Sequence, residues 1–221
     1  MKRLVLLPLV LLGLSAVAGL GLAEAGVSMG RITMDPTTSH SIALQPTTWP
    51  LHAGGRIIVL VTNQSLFQSV DYAVTSWGDS EGNFSGAYPA YSMALSFVIE
   101  TPATATAQPN VVIEYAPTGM TTLDHNGVTQ LGYISIGLGT QLVVQIFVAY
   151  QSDTSQMDIT MAHEFGHALG LGHTQSGDLM NPYGTTNWPS SLDDYGLWAS
   201  LHGYSGNVTL PTRYYFPGVS A

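Results

Sequence analysis

Short apolar runs rich in β-branched residues recur along the middle of the chain and predict its strands. The run 56–62 is apolar at nearly every position, which is typical of a central strand covered on both faces. Later runs predict four more strands, at 92–100, 111–115, 131–136 and 142–150. These patterns predict the strands themselves but not the order in which the strands pair.

Two helices are predicted from apolar positions that repeat at helical spacing. The first covers residues 65–77, with one apolar face made of Leu66, Val70, Ala73, Val74 and Trp77. The second follows the last predicted strand, and Ser155 with Asp158 three residues later is typical of a helix start. Gly170 predicts the end of this helix, because glycine readily adopts the left-handed conformation that is common after a last turn.

The N-terminus has the three parts of a secretory signal peptide. Lys2 and Arg3 precede an uncharged, mostly apolar run from 4 to 23, and Ala23-Glu24-Ala25 offers a cleavage site. We therefore expect residues 1–25 to be removed and the protein to be secreted. The apolar run is also long enough to cross a bilayer, so a membrane anchor through residues 4–23 is the alternative.

Composition divides the remaining chain and sets its charge. Residues 26–50 are rich in threonine, serine and proline and are expected to be an N-terminal arm or a short pro-segment, followed by one domain at 51–221. The net charge of the whole chain is −9, and the basic side chains after the signal peptide, histidine aside, are Arg31, Arg56 and Arg213. This anionic balance argues against nucleic acid and anionic membranes as partners. The low share of charged residues, 9%, suggests an acidic medium as one hypothesis.

The strongest chemical signal is the segment 163–173, His-Glu-Phe-Gly-His-Ala-Leu-Gly-Leu-Gly-His. His163 and His167 are four residues apart, so on a helix both can reach one zinc ion at Zn–N distances of about 2.0–2.1 Å. A turn after the helix would bring His173 back as a third ligand, and three protein ligands leave the fourth position open for water, as in catalytic zinc sites. Glu164 would then lie beside the metal, where it suits a general base acting on zinc-activated water.

This segment and the residues after it resemble the metzincin metalloproteases, and among them the matrixins. The active-site helix of that family matches residues 162–171, and Leu-Met-Asn-Pro at 179–182 looks like its methionine turn. Weaker matches lie at 192–197 and 201–204 downstream and at 70–77 and 111–115 upstream. The resemblance covers roughly residues 50–204, and its specific part is 162–204.

The matrixin resemblance implies an α+β fold of the zincin-like, metzincin type. The expected architecture is a twisted, five-stranded mixed sheet with a backing helix, an active-site helix and a C-terminal helix. The resemblance also implies roles at the site: Met180 as an apolar floor beneath the metal, and Pro182 and Tyr183, joined by Trp188, as parts of the substrate pocket. The strand 131–136 is expected to form a sheet edge along which an extended substrate pairs.

The chain departs from the matrixin pattern in its latency and in its accessory metal sites. It has no cysteine, so it cannot use the cysteine switch that keeps many matrixin zymogens inactive. The His/Asp-rich segment that carries structural zinc and calcium is reduced to Asp124-His125-Asn126-Gly127, which we interpret as a turn; calcium is kept as a further candidate cofactor. If residues 26–50 are a pro-segment, Asp35 or His40 could cap the zinc in place of a cysteine.

These features predict a secreted zinc metalloendopeptidase with one catalytic zinc ion and with proteins or peptides as substrates. We assume a monomer that has no membrane partner once the signal peptide is cleaved. Two alternatives stay open: a non-catalytic cell-surface or binding protein on a metzincin scaffold, and a zinc hydrolase with a non-protein substrate. The intact Glu164 argues against the first alternative, because an inactive scaffold has no need of a general base.

Overall fold

The five runs predicted as strands fold as strands in the computed structural model, which describes residues 41–45, 55–105, 108–120, 123, 126–136, 139–174, 177–183 and 186–210. A first short strand, β1 (Ser41–Leu44), precedes them. The five strands are β2 (Gly55–Val61), β3 (Leu95–Glu100), β4 (Val111–Tyr115), β5 (Gly127–Ile136) and β6 (Gly139–Val148). Both β5 and β6 begin earlier than predicted, since the glycines at their starts hide the alternating pattern.

These five strands form one mixed sheet in the order β3-β2-β4-β6-β5. β2 lies between β3 and β4 and pairs in parallel with both, as expected for a strand with two apolar faces. β6 runs parallel to β4, whereas β5 runs antiparallel to β6 and forms one edge of the sheet. The mixed sheet and its helices confirm the predicted α+β, metzincin-type fold.

The backing helix, α1 (Phe67–Ala87), is longer than predicted. It follows a short 3-10 turn (Gln64–Leu66) and continues well past residue 77. The extension is rich in glycine and serine, which form helices poorly, so propensity alone gives no signal for it. Ser80 and Phe84 are buried in this part of α1, and packing therefore stabilises a stretch that would not be helical in isolation.

The active-site helix, α2 (Thr154–Ala168), starts at a different cap from the predicted one. Asp153 is the N-cap, and its carboxylate accepts hydrogen bonds from the backbone N–H groups of Ser155 and Gln156. The prediction of a cap at Ser155 was therefore wrong by two positions. The C-terminal helix, α3 (Ser191–Leu201), has the complete capping box that was expected of α2.

Aromatic side chains fix α2 against α1 and the sheet. Trp77 of α1 is fully buried, and its Nε1–H donates to the carbonyl oxygen of Ala162 at 2.9 Å. Phe165 of α2 packs edge-on against Phe97 of β3, with ring centroids 5.5 Å apart. Because α2 carries two of the three histidines, these contacts set the position of the candidate metal site relative to the sheet.

A second sheet of three short strands was not predicted from the sequence. Its order is β7-β1-β8, where β7 is Leu171–Thr174 and β8 is Gly206–Thr209, and β1 pairs antiparallel with both neighbours. The apolar residues of β1 are completely buried: Ile42, Ala43 and Leu44. Strands of four residues are too short for their alternation to be recognised. β1 supports β7, the strand that carries His173.

Several predictions concern residues outside the described part of the chain. The predicted signal peptide at 1–25, most of the segment 26–50, and the candidate zinc caps Asp35 and His40 all lie outside it. The boundary expected at residues 50 and 51 therefore stays a prediction. Within the described residues, no helix is both long and apolar enough to cross a membrane.

Candidate metal centre

Three histidine rings converge where α2 ends and β7 begins. Gly170 has a φ of 98°, which lets the chain reverse there, as predicted, and carry His173 back towards α2. The ring centroids of His163 and His167 are 4.7 Å apart, and those of His173 lie 5.4 Å and 4.9 Å from them. One ligand atom from each ring lies within 4.8 Å of the others, so the group could hold a metal ion.

Backbone carbonyls select the nitrogen that each helix histidine offers. The Nδ1 atoms of His163 and His167 lie 2.8 Å from the carbonyl oxygens of Leu179 and Leu171, respectively. A carbonyl oxygen only accepts hydrogen bonds, so each Nδ1 carries the proton and Nε2 becomes the ligand atom. This is the outer hydrogen bond that orients metal-binding histidines in proteins. The donor set therefore fits zinc.

The environment also favours a neutral imidazole, which metal binding requires. Burial lowers the pKa of His167 well below its usual range, and positive charge on His163 and His173 lowers it further. The hydrogen bond to Leu171 acts in the opposite direction but does not outweigh burial. His167 is thus held ready to bind a metal at neutral pH.

The methionine turn lies directly beneath α2. Met180 is fully buried, and its sulfur packs against Gly166, where a Cβ atom would overlap it. The carbonyl oxygen of Met180 accepts a hydrogen bond from Thr174 N at 2.9 Å, which ties the turn to β7. The position of Met180 agrees with an apolar floor, and Gly166 leaves the space that this floor needs.

We expect Gly166→Ala to lower the free energy of unfolding by about 1–3 kcal/mol, the usual cost of overpacking a core. The added Cβ would overlap the sulfur of Met180 and lie 2.7 Å from Cζ2 of Trp77, and both of these side chains are fully buried. The matched control is Gly82→Ala in α1, where no atom lies within 4 Å of the new Cβ. That change should stabilise the helix by up to about 1 kcal/mol. Urea unfolding of both variants checks this, and equal stabilities would contradict the packing described.

Two buried carboxyl groups of α3 form hydrogen bonds with the methionine turn and with α1. Oδ2 of Asp193 accepts hydrogen bonds from Leu179 N at 3.2 Å and Ser190 N at 2.8 Å. Oδ2 of Asp194 accepts one from the hydroxyl of Ser80 at 2.7 Å. Neither Oδ1 has a hydrogen-bond partner among the described residues. The sequence marked this helix only by its resemblance to matrixins, and the Ser-x-x-Asp spacing at 190–193 is the local signal that could have located its start.

Burial gives both carboxyl groups an unusual affinity for protons. It raises the pKa of Asp193 to about 7, helped by the negative charges of Asp178 and Asp194 and opposed by hydrogen bonds from Ser190. Burial also raises the pKa of Asp194 to about 7, with Glu81 adding to the effect and the bond from Ser80 opposing it. A buried carboxyl group whose pKa is raised favours the folded state more when it is protonated than when it is charged.

We expect the Asp194 carboxyl group to raise the free energy of unfolding as the pH falls from about 8 to about 5. In this range the folded protein binds a proton that an unfolded chain, with a carboxyl pKa near 4, does not bind. The stabilisation is complete at low pH and is lost as the pH rises through about 7. Urea midpoints of the wild type and Asp194→Asn across this range measure the effect, which includes the influence of the Asp194 charge on Asp193. Parallel pH profiles would show that Asp194 keeps an ordinary pKa.

Glu164 follows His163 on α2, and its side chain is almost fully buried. Its Oε2 accepts a hydrogen bond of 2.6 Å from the hydroxyl of Thr129, which lies on β5. Thr129 was not singled out in the sequence, because the two residues are 35 positions apart and no local pattern connects them. The structure therefore adds one residue to the predicted group.

The predicted pocket residues follow the methionine turn along the chain. Pro182 is half-buried and Tyr183 is 77% exposed, with its N–H bonded to Oδ1 of Asn181 at 2.8 Å. Trp188 is 42% exposed, and the preceding Asn187 accepts a hydrogen bond of 2.6 Å from the hydroxyl of Tyr72 on α1. A pocket role for Pro182 and Tyr183 stays a prediction.

The accessory metal sites expected of typical matrixins find no support. Asp124 and His125 lie outside the described residues, while Asn126 has a φ of 78°, as expected in an Asn-Gly turn. Within the described ranges, the three histidines form the single group of three or more His, Cys, Asp or Glu side chains that could share a metal ion. Calcium therefore remains unsupported.

Comparison with known proteins agrees with this geometry. The model of the matrixin family of peptidases matches residues 83–196, just over half of the 221-residue chain. The match includes α2, the three histidines and the methionine turn. A search of curated proteins gives no significant match. With the family model and the histidine group in agreement, the chain belongs to the matrixin family of zinc metallopeptidases.

Proposed function

We propose that this protein is a secreted zinc endopeptidase in which His163, His167 and His173 hold the catalytic metal and Glu164 is the general base. The observation that carries the proposal is the convergence of the three rings, with the tautomers of His163 and His167 set by backbone carbonyls. Three histidines without a fourth protein ligand are typical of catalytic zinc sites, whereas structural sites are closed by four ligands.

The zinc ion, when bound, would supply a Lewis acid that makes water nucleophilic near neutral pH and stabilises negative charge on the attacked carbonyl oxygen. Glu164 would accept the proton of the attacking water and pass it to the departing amine. Its burial keeps bulk water away from this transfer. Met180 has no group that can transfer protons, and its proposed role is to hold the floor of the site in place.

The edge of the main sheet supports an extended peptide as substrate. Among the described strands β5 pairs with β6 alone, so the backbone of its other side can form a ladder with an added strand. β5 also contacts α2 through the hydrogen bond between Thr129 and Glu164. A peptide bound along this edge would therefore lie next to the proposed base, as cleavage within a chain requires.

Cleavage of casein or gelatin by the purified protein tests the proposal. We expect cleavage at internal peptide bonds, loss of activity with a chelator, and recovery when zinc is added back. Metal analysis should find about one zinc per chain, and His167→Ala should lower that ratio. A metal-replete protein that cuts neither substrate would favour a non-catalytic scaffold.

N-terminal sequencing of the exported protein tests secretion, with cleavage expected after Ala25.

A further inference from the structure

We propose that Thr129, on the edge strand β5, is a positioning residue that orients the carboxylate of Glu164. This inference rests on the proposed function, since it assigns a role to the residue that holds the general base. Thr129 is almost fully buried, and its hydroxyl is directed towards α2 rather than towards solvent.

The hydroxyl of Thr129 contacts Glu164 at two places. It lies 2.6 Å from Oε2 of the carboxylate and 2.9 Å from the backbone carbonyl oxygen of the same residue. The shorter distance is typical of a hydroxyl that donates to an ionised oxygen, and such bonds are about twice as strong as neutral ones. The hydroxyl has a single proton, which the shorter distance assigns mainly to Oε2, so this bond ties the carboxylate of Glu164 to β5.

Gly127 completes the confinement of Glu164 from the same face of β5. Residues two positions apart in a strand point to one face, so Gly127 and Thr129 both face α2. A Cβ atom on Gly127 would lie 2.7 Å from Cδ of Glu164 and would overlap one of its oxygens. Glycine therefore leaves the space that the glutamate fills, and the threonine hydroxyl fixes the orientation of the carboxylate within that space.

Confinement of this kind matters because a glutamate side chain loses rotamer freedom when it is ordered. A base that is already ordered does not lose that freedom during each catalytic cycle. β5 is also the edge proposed to bind the substrate. One strand would then set both the register of the peptide and the direction of the base.

The test compares Thr129→Val, which keeps the shape but removes the hydroxyl, with Thr129→Ser, which keeps the hydroxyl. We expect Thr129→Val to lower kcat about 10- to 100-fold, the effect of losing a hydrogen bond to a charged group, with KM changed less than about threefold. Thr129→Ser should restore kcat to within about threefold of the wild type. Zinc content should be the same in all three proteins.

The matched control is Thr62→Val, which removes a hydroxyl that donates to the carbonyl oxygen of Ile113 at 3.1 Å, away from Glu164. This variant should keep the wild-type kcat. A Thr129→Val enzyme with wild-type kcat would overturn the proposal, and so would a Thr129→Ser enzyme as slow as the valine variant. A change in KM alone would also overturn it, because orientation of the base acts on the chemical step.

A measurement without metal separates this proposal from the proposed function. In metal-free protein, the effects of Thr129→Val and Glu164→Ala on the urea midpoint should be clearly non-additive, since each change removes the same bond. Additive effects would show that the two side chains do not interact. If the wild type fails to cleave any protein, the proposed function fails. The double-mutant cycle in metal-free protein still shows whether Thr129 and Glu164 interact.

Discussion

Replacing Glu164 with glutamine is expected to lower kcat/KM for peptide cleavage by about 10²–10⁴-fold, the usual contribution of a general base. Glutamine has nearly the same shape and can still accept the hydrogen bond from Thr129, but its amide cannot take up a proton at neutral pH. The three histidines are unchanged, so the zinc content should stay at the wild-type level. Steady-state kinetics with a fluorogenic peptide, together with metal analysis, measures both quantities.

The matched control for this experiment is Glu114→Gln. Glu114 is a partly buried glutamate on β4, two residues after Val112 and therefore on the sheet face that does not pack against α2. Burial raises its pKa, so the neutral amide should be tolerated and activity should be kept. Full activity in Glu164→Gln would show that another group takes the proton and would remove the main argument for the assigned mechanism.

Replacing both Ile42 and Leu44 with alanine is expected to destabilise the protein by roughly 4–10 kcal/mol, since each such truncation in a core costs about 2–5 kcal/mol. Both side chains are completely buried in β1, the central strand of the small sheet. A loss of this size is comparable with the whole stability of a typical domain. The variant should therefore be largely unfolded and should retain little zinc, because β7 would lose its neighbour.

The control for this experiment changes the outer strand of the same sheet. Asn207 and Thr209 on β8 are exposed, and a double alanine variant there should keep its fold and its zinc. Circular dichroism, urea unfolding and metal analysis distinguish the two variants. A β1 double variant as stable as the wild type would show that β1 is dispensable.

The position of β1 bears on how the N-terminus is processed. We propose that any further cleavage, after removal of the signal peptide, occurs on the N-terminal side of Ser41. Removal of the whole segment 26–50 would take away β1, a strand that is paired on both sides. This favours an arm that belongs to the domain over a detachable pro-segment. Sequencing the N-terminus of the active protein decides the question, and an active chain that starts after Leu44 would rule out our proposal.

The candidate metal site was predictable because its signals are local. The spacing of His163 and His167 follows from helix geometry, and Gly170 marks the reversal that returns His173. Both signals can be recognised without knowledge of the rest of the fold. The strands of the main sheet were predicted for a similar reason, since each is a continuous apolar run, but their parallel order came only from the family resemblance.

The features that were missed depend on contacts between distant residues. The C-terminal part of α1 is helical because Ser80 and Phe84 pack against other elements, against the local propensity of its glycines. β1 exists because two other short strands flank it. The bond between Thr129 and Glu164 joins residues from two elements whose proximity no periodicity reveals. Each of these features is set by the tertiary fold.

Leu179 links two groups that respond to acid in opposite ways. Its N–H donates to the carboxyl of Asp193, and its carbonyl accepts from the imidazole of His163. Burial raises the pKa of Asp193, so acidification protonates this carboxyl group and favours the folded state. Acidification also weakens metal binding, because a metal ion binds only the neutral imidazole. Leu179 thus connects a buried carboxyl group that favours the folded state when it is protonated to a proposed zinc ligand that must stay neutral to bind the metal. The working range of such an enzyme would be a compromise between rigidity and retention of its metal.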